Sequence, residues 1–360
     1  MPAGRGTRIA LAGAGALLLV GAAAVWFSLR GETGRDKPDP IPADRAEFSA
    51  WLVDWQLDAG MEEAQKLAGG PPQGLQLFAA YFDETDALYF SEDMKKALSR
   101  ITELRAEPAA EIGLTLVNDI VRTDGSSAQK DADLVTRLVA TEESRGRHIR
   151  QIIDTLEEHG LNRVEIDYEK INKEDWTSVS LFYEELYEQL KAQGKTLRIV
   201  LEPKAPVESV TLPEGPEYVM MAYNLFGSHS GPGPKADLAF IRKVSGKLKS
   251  LPGKPVIALA AGGFDWSASG EVTAVTEKKA KELAQAEGAS LQRDKDSGSL
   301  HFEYRSKDGE QHTVWFADRM TLNSWVQTAR EEGINSFSLW RLGELAEDTL
   351  EYWKEGTAGS

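Results

Sequence analysis

Downstream of residue 46, short apolar runs alternate with longer amphipathic stretches. Nearly uninterrupted apolar runs predict strands that are buried on both faces of a sheet. Eight such runs are residues 48–55, 75–82, 112–121, 164–168, 197–201, 218–223, 255–261 and 334–340. The main amphipathic stretches, which predict helices, are residues 91–106, 131–159, 175–193, 235–250, 318–332 and 344–353. Eight such units in about 300 residues predict an α/β fold, a (β/α)8 TIM barrel rather than an open doubly wound sheet.

One segment, residues 271–316, interrupts this alternation between the seventh strand and its helix. It contains a helix-like stretch, residues 276–287, followed by two alternating runs joined through Asp308-Gly309. An Asp-Gly pair between alternating runs predicts a β-hairpin. We therefore expect a small α+β insertion on the catalytic side of the barrel, with a long surface loop as the alternative.

The N-terminus carries an uncharged apolar run, residues 9–29, preceded by Arg5 and Arg8. This length suffices to cross a bilayer core of about 30 Å. The arginines favour a cytoplasmic N-terminus and place the rest of the chain outside the cell. The alternative is a cleaved signal peptide with the small residues 22–24 at its cleavage site, which predicts a secreted protein.

A Pro- and Gly-rich segment, residues 31–45, follows the apolar run and predicts an extended linker. The expected organisation is a membrane anchor or signal segment at residues 1–30, this linker, and a barrel at residues 46–356. We expect a single-pass cell-membrane protein with an extracytoplasmic domain.

The composition of the chain argues against some partners and excludes some kinds of catalytic or metal site. The formal net charge of −16 argues against a nucleic-acid partner. The chain has no cysteine, which excludes disulfides and thiolate nucleophiles, and its five histidines show no metal-ligand spacing. We therefore expect no metal and no cofactor, and a monomer.

Three carboxylates alternate along the fourth predicted strand: Glu165, Asp167 and Glu169. Alternate side chains on a strand share a face, with neighbours about 6.5–7 Å apart. The intervening residues are apolar, so the acidic face is predicted to point into the barrel. Burial of like charges favours a protonated carboxyl, which a general acid requires. The alternative is an edge strand with a solvated acidic face.

This segment resembles the DxxDxDxE signature of glycoside hydrolase family 18, the chitinase and N-acetylglucosaminidase family. The resemblance implies that Glu169 is the catalytic acid/base and that Asp167 assists it. Asn162 and Glu165 stand where the signature has Asp. These two positions are expected deeper in the barrel, and Glu165 is a candidate substrate-binding residue.

Other motifs extend the resemblance. Met221-Ala222-Tyr223-Asn224 is similar to the family's Met-x-Tyr-Asp motif, which nominates Tyr223 as catalytic and Met221 and Asn224 as substrate-binding. Trp340, at the end of the eighth predicted strand, matches the tryptophan beneath the cleaved sugar.

Two further segments resemble the spore cortex-lytic branch of the family. Gly263-Phe264-Asp265-Trp266 resembles its Gly-Tyr-Asp-Trp motif and nominates Trp266 for substrate binding. Residues 312–318 are similar to its HxVWFxDxxS run.

The resemblance implies retaining hydrolysis assisted by the substrate's 2-acetamido group. The expected partner is an N-acetylglucosamine-containing glycan, of the peptidoglycan or chitin type. Two alternatives remain open, which are a non-catalytic chitinase-like lectin and an envelope interaction protein on the same barrel.

Overall fold

The computed structural model describes residues 47–67, 74–100 and 111–357. The predicted anchor and linker, residues 1–45, lie outside these ranges. Within these ranges no helix is long and apolar enough to cross a membrane.

Fifteen strands and nine α-helices make up the described part of the chain. The strands are β1 (Glu47–Val53), β2 (Gly74–Phe82), β3 (Leu88–Tyr89), β4 (Glu111–Val121), β5 (Ser127–Ala128), β6 (Arg163–Asp167), β7 (Thr196–Leu201), β8 (Glu217–Met221), β9 (Val256–Ala260), β10 (Gly262–Ser267), β11 (Val272–Val275), β12 (Gln292–Arg293), β13 (Leu300–Arg305), β14 (Gln311–Ala317) and β15 (Ser336–Trp340). The helices are α1 (Leu57–Lys66), α2 (Glu92–Ser99), α3 (Ala132–Val139), α4 (Glu142–Glu158), α5 (Trp176–Ala192), α6 (Leu238–Leu248), α7 (Glu277–Ala286), α8 (Arg319–Glu331) and α9 (Glu347–Thr357).

Eight parallel strands form a closed barrel, in the order β2-β1-β15-β9-β8-β7-β6-β4, and β4 pairs back onto β2. The predicted TIM barrel is therefore confirmed. All eight predicted strands are present, each shifted at its ends by a few residues at most. The short strands β3 and β5 extend β2 and β4 as antiparallel hairpins.

The barrel strands sort their side chains between two apolar cores. The larger core lies between strands and helices and includes Leu52, Val164 and Ile166. The smaller core lies inside the barrel and includes Val200 and Ala258. This sorting follows from the two-residue period of a strand.

The predicted helix at residues 131–159 is wrong as a single element, because α3 and α4 are separate. The break follows from a capping box at Thr141, whose hydroxyl accepts a hydrogen bond from the Ser144 N–H while the Ser144 hydroxyl accepts one from the Thr141 N–H. A capping box provides hydrogen-bond partners for N–H groups that the first turn of a helix leaves free. A new helix therefore begins at this point, although the helical spacing of apolar residues continues across it.

A second, antiparallel sheet of five strands lies between β9 and α8, in the order β11-β10-β14-β13-β12. The predicted hairpin is its β13–β14 pair, with Gly309 at a φ of 88° in the turn. The alternative of a long surface loop is therefore wrong. β10 also belongs to this sheet, so the sheet begins before residue 271. Gly263 on β10 allows the strands to approach, because a Cβ there would lie 1.7 Å from the Trp315 carbonyl oxygen.

Candidate active site

The side chains of β6, the acidic strand, point in the predicted directions. Val164 and Ile166 of β6, with Tyr168 just after it, pack in the outer core, so Glu165 and Asp167 point to the barrel interior. Asp167 is 9% exposed, and its Oδ1 atom has no hydrogen-bond partner among the described residues. Burial, and then the nearby charges of Glu169 and Glu165, raise the pKa of Asp167 well above its usual value. Asp167 therefore presents an unoccupied acceptor inside the barrel.

Glu169 lies two residues beyond the end of β6, and its backbone is held by Asn118 on β4. The Asn118 side-chain amide donates to the Glu169 carbonyl oxygen and accepts from the Glu169 N–H, both at 2.9 Å. The Glu169 side chain is 13% exposed. Burial, the largest effect, raises the pKa of the Glu169 carboxyl, although Lys130 acts in the opposite direction. The structure thus fixes a carboxyl of raised pKa at the rim of the barrel.

Lys130 is a member of the site that the sequence motifs do not contain. Its Nζ atom lies 2.5 Å from Oε2 of Glu169. Its backbone N–H donates to Oδ1 of Asp119, at 2.8 Å, which anchors the segment between β5 and α3. An opposite charge at this distance favours the ionised form of Glu169.

Glu165 is fully buried, and its carboxylate is occupied by protein groups. Oε1 accepts hydrogen bonds from Trp51 Nε1 at 2.6 Å and from the Thr115 hydroxyl at 2.7 Å. Oε2 forms an ion pair with Arg198 Nε at 2.6 Å. These contacts hold Glu165 among protein groups inside the barrel, and its role in substrate binding stays a prediction. Asn162, expected deep in the barrel, is instead exposed just before β6.

Tyr223, Trp340 and Met221 share the aromatic and apolar cluster inside the barrel. The rings of Tyr223 and Trp340 stack with centroids 6.5 Å apart. Phe78 packs edge-on against Trp340 at 4.8 Å. Burial, and then the charges of Asp167 and Glu169, raise the pKa of Tyr223 well above its usual range, so its hydroxyl stays a donor. The cluster sets an apolar floor beside the carboxyl groups.

Two predicted substrate-binding residues lie apart from this cluster. Asn224 is exposed and has a φ of 72°, a left-handed conformation that Asn tolerates better than most residues. Trp266 is buried on β10, and its Nε1 donates to the Ser230 carbonyl oxygen at 3.1 Å. Trp266 lines a separate cavity of about 630 Å³ between the small sheet and the loop after β8. A role for either residue in substrate binding stays a prediction.

Comparison with known proteins decides the family. Residues 126–344 match the profile of glycosyl hydrolases family 18. The chain belongs to glycosyl hydrolase family 18. The predictions of this family and of a glycosidase are thereby confirmed, and the family's acid motif lies within the matched residues.

Curated relatives include members of the spore cortex-lytic branch. The glycosylase YvbX of Bacillus subtilis, uncharacterized, is 26% identical over 242 residues, which cover 63% of this chain and 70% of that protein. The cortical fragment-lytic enzyme of Bacillus anthracis is 26% identical over 244 residues, which cover 62% of this chain and 56% of that protein. The chain thus spans little more than half of the second relative.

Solved structures show the same fold. The Bacillus cereus spore cortex-lytic enzyme SleL superimposes with a TM-score of 0.71 at 21% identity, covering 87% of this chain and 74% of that one. A chitinase from Chromobacterium violaceum gives a TM-score of 0.71 at 18% identity, covering 86% of this chain and 98% of that one.

Proposed function

We propose that this glycosidase cleaves β-linked N-acetylglucosamine-containing glycans by substrate-assisted retention, with Glu169 as the acid/base. One observation carries the proposal. The buried Oδ1 of Asp167 has no hydrogen-bond partner in the described part of the chain, and burial, and then the nearby charge of Glu169, raise the pKa of Asp167. An unoccupied acceptor next to a proton donor suits a substrate that brings its own amide N–H and a glycosidic oxygen.

In the first step, protonated Glu169 gives its proton to the glycosidic oxygen, and the bond from that oxygen to C1 breaks. The carbonyl oxygen of the substrate's 2-acetamido group forms the new bond to C1 on the opposite face. Asp167 accepts the acetamido N–H, which stabilises the positive charge of the resulting oxazolinium ring. The Tyr223 hydroxyl donates to the acetamido oxygen and orients it.

In the second step, ionised Glu169 accepts a proton from water, whose oxygen attacks C1 and reopens the ring. The configuration at C1 is therefore retained. Lys130 stabilises the ionised form of Glu169, which exists between the two steps. Its charge also lowers the fraction of free enzyme that carries the proton required for the first step.

The effect of the Lys130 charge on Glu169 can be tested through the pH dependence of the activity. In Lys130→Met, we expect the alkaline limb of kcat/KM to move to higher pH by about one unit or more, because the pKa of Glu169 rises when its cation is lost. The measurement is the pH profile of kcat/KM on a chromogenic β-N-acetylglucosaminide. Lys130→Arg, which retains the charge, should keep the limb in place. An unmoved limb in Lys130→Met would show that Lys130 does not set this pKa.

The substrate class is tested by digestion. The purified full-length chain is incubated with purified peptidoglycan and with chitin oligomers, and the products are identified by mass. We expect products with N-acetylglucosamine at the new reducing end. Products ending in N-acetylmuramic acid would contradict the proposed bond, and retention of glycan without any product would favour the lectin alternative.

We further propose that the apolar run at residues 9–29 holds the enzyme at the outer side of the cell membrane, within reach of wall glycan. The arginines before this run support the orientation. Protease accessibility of the barrel in intact cells tests it, because a barrel on the inner side would be protected. The monomeric state stays a prediction.

A further inference from the structure

A small cavity lies between the top of the barrel and the second sheet. Its volume is about 90 Å³, which is enough space for several water-sized groups. The residues that line this cavity include Lys235, Ala261, Thr276, Glu277, Trp340, Arg341 and Glu344.

Lys235 is one of two cations in this cavity. Its Nζ donates to the Ala261 carbonyl oxygen at 3.2 Å and lies 5.3 Å from the centroid of the Phe264 ring. Among the described residues it forms no ion pair. Burial, and then the charge of Arg341, lower the pKa of Lys235 to about 8. An ammonium group is thus held against a carbonyl and an aromatic ring without a counter-ion from the described chain.

Arg341 is the second cation. Its Nη1 donates to Gln56 Oε1 at 2.5 Å and to the Leu342 carbonyl oxygen at 3.3 Å, and its guanidinium lies 5.6 Å from the Trp55 ring centroid. Within the described ranges it too forms no ion pair. Burial lowers the pKa of Arg341, although the charges of Glu344 and Glu63 act in the opposite direction. Two neighbouring cations that form no ion pair within the described ranges favour the binding of an anion between them.

The carboxylates that line the same cavity are engaged elsewhere. Glu277 accepts hydrogen bonds from the Thr349 hydroxyl and the Ala346 N–H and pairs with Lys281. Glu344 accepts from the Thr276 hydroxyl at 2.9 Å. Glu344 is thus near enough to act on the charge of Arg341, but among the described residues neither carboxylate forms an ion pair with Lys235 or Arg341.

Trp340 connects the cavity to the active site, because it lines this cavity and also stacks on Tyr223. We infer that the cavity between Lys235 and Arg341 binds a carboxylate carried by the glycan close to the cleaved N-acetylglucosamine residue. The inference rests on the proposed function. It narrows the substrate class from neutral chitin-type chains to acid-bearing amino-sugar chains.

Two parts of a wall glycan carry such a carboxylate, which are the lactyl ether of the muramic sugar and the peptide joined to it. Three soluble probes distinguish them. The first is a peptide-free tetrasaccharide of alternating N-acetylglucosamine and N-acetylmuramic acid, which carries the lactyl carboxylate. The second is the same tetrasaccharide with the lactyl carboxylate converted to a neutral amide. The third is the peptide-bearing tetrasaccharide, in which the lactyl carboxyl forms the amide bond to the peptide and only the peptide carries carboxylates.

Binding is measured by calorimetric titration in the Glu169→Gln background, so that the readout does not depend on turnover. If the lactyl group supplies the carboxylate, we expect the first probe to bind about 10- to 100-fold more tightly than the neutral amide. If the peptide supplies it, we expect the same preference for the peptide-bearing probe. Lys235→Met should reduce this ratio to near one. Lys235→Gln, which keeps a donor for the Ala261 carbonyl, provides a second uncharged variant should the first fail to fold. Lys279→Met, an exposed charge on α7, is the matched control.

Equal affinity for all three probes would overturn the inference, and so would a preference that persists in both Lys235 variants. If the wild-type chain hydrolyses chitin oligomers and shows no carboxylate preference, the carboxylate subsite fails while the proposed function stands. Absence of both hydrolysis and binding would overturn the two together.

Discussion

Replacement of Glu169 with glutamine is expected to abolish hydrolysis, a loss of at least about 100-fold in kcat. Glutamine has no acidic proton to give to the leaving oxygen and is too weak a base to take one from water, so both chemical steps fail. The fold should be unchanged, because Asn118 holds the backbone of residue 169 and not its side chain. The glutamine oxygen also remains an acceptor for Lys130.

The measurement is turnover of a β-1,4-linked N-acetylglucosamine oligomer, together with the melting temperature. Glu174→Gln is the matched control, because it makes the same chemical change at an exposed position in the same loop and should retain activity. Wild-type turnover in Glu169→Gln would remove Glu169 from the mechanism. A lost activity accompanied by a lowered melting temperature would point to the fold instead.

The facing of the acidic strand could be predicted from sequence because a strand has a fixed two-residue period. Apolar residues at 164, 166 and 168 require one face to meet the helices, so Glu165 and Asp167 must point inward. The motif does not distinguish their roles. Glu165 contacts Arg198, Trp51 and Thr115 from three other strands, whereas one oxygen of Asp167 has no hydrogen-bond partner in the ranges that the structure describes. That difference arises only when the barrel closes.

Lys130 could not be predicted, because nothing in its local sequence distinguishes it from a surface lysine. It reaches Glu169 from a segment 39 residues earlier in the chain, through the pairing of β4 with β6. Asn118 carried a weak signal, since an amide within a strand otherwise buried must find hydrogen-bond partners. Its partner, the backbone of Glu169, depends on the same strand pairing.

The sequence also predicts the surroundings of some aromatic residues and not of others. Trp340 and Tyr223 both end barrel strands or lie just after them, where the active sites of TIM barrels form, so their meeting was predictable from position. Trp266 lies on β10, whose neighbours are β11 and β14 of the second sheet. Its surroundings depend on how that sheet pairs, and the local motif does not contain that information.

Arg198→Met is expected to lower the free energy of unfolding by about 3–5 kcal/mol, a large part of the stability of an ordinary domain. Arg198 and Glu165 are both fully buried, so the substitution leaves a carboxylate inside the barrel without its cation. Arg198 also donates to the Ser49 and Ser338 hydroxyls, at 2.7 and 2.8 Å, which ties β7 to β1 and β15.

Urea unfolding of wild type and variant at pH 7 measures the loss. The double variant Glu165→Gln with Arg198→Met is the decisive comparison, because glutamine removes the orphaned charge yet still accepts from Trp51 and Thr115. We expect the double variant to be more stable than Arg198→Met alone. If the losses from Glu165→Gln and from Arg198→Met simply added, the buried charge would not be the cause, and the lost contacts of Arg198 with Ser49, Ser338 and Glu217 would account for the effect. Recovery would instead show that the loss in Arg198→Met comes from the Glu165 carboxylate, which the substitution leaves in the barrel without its ion-pair partner.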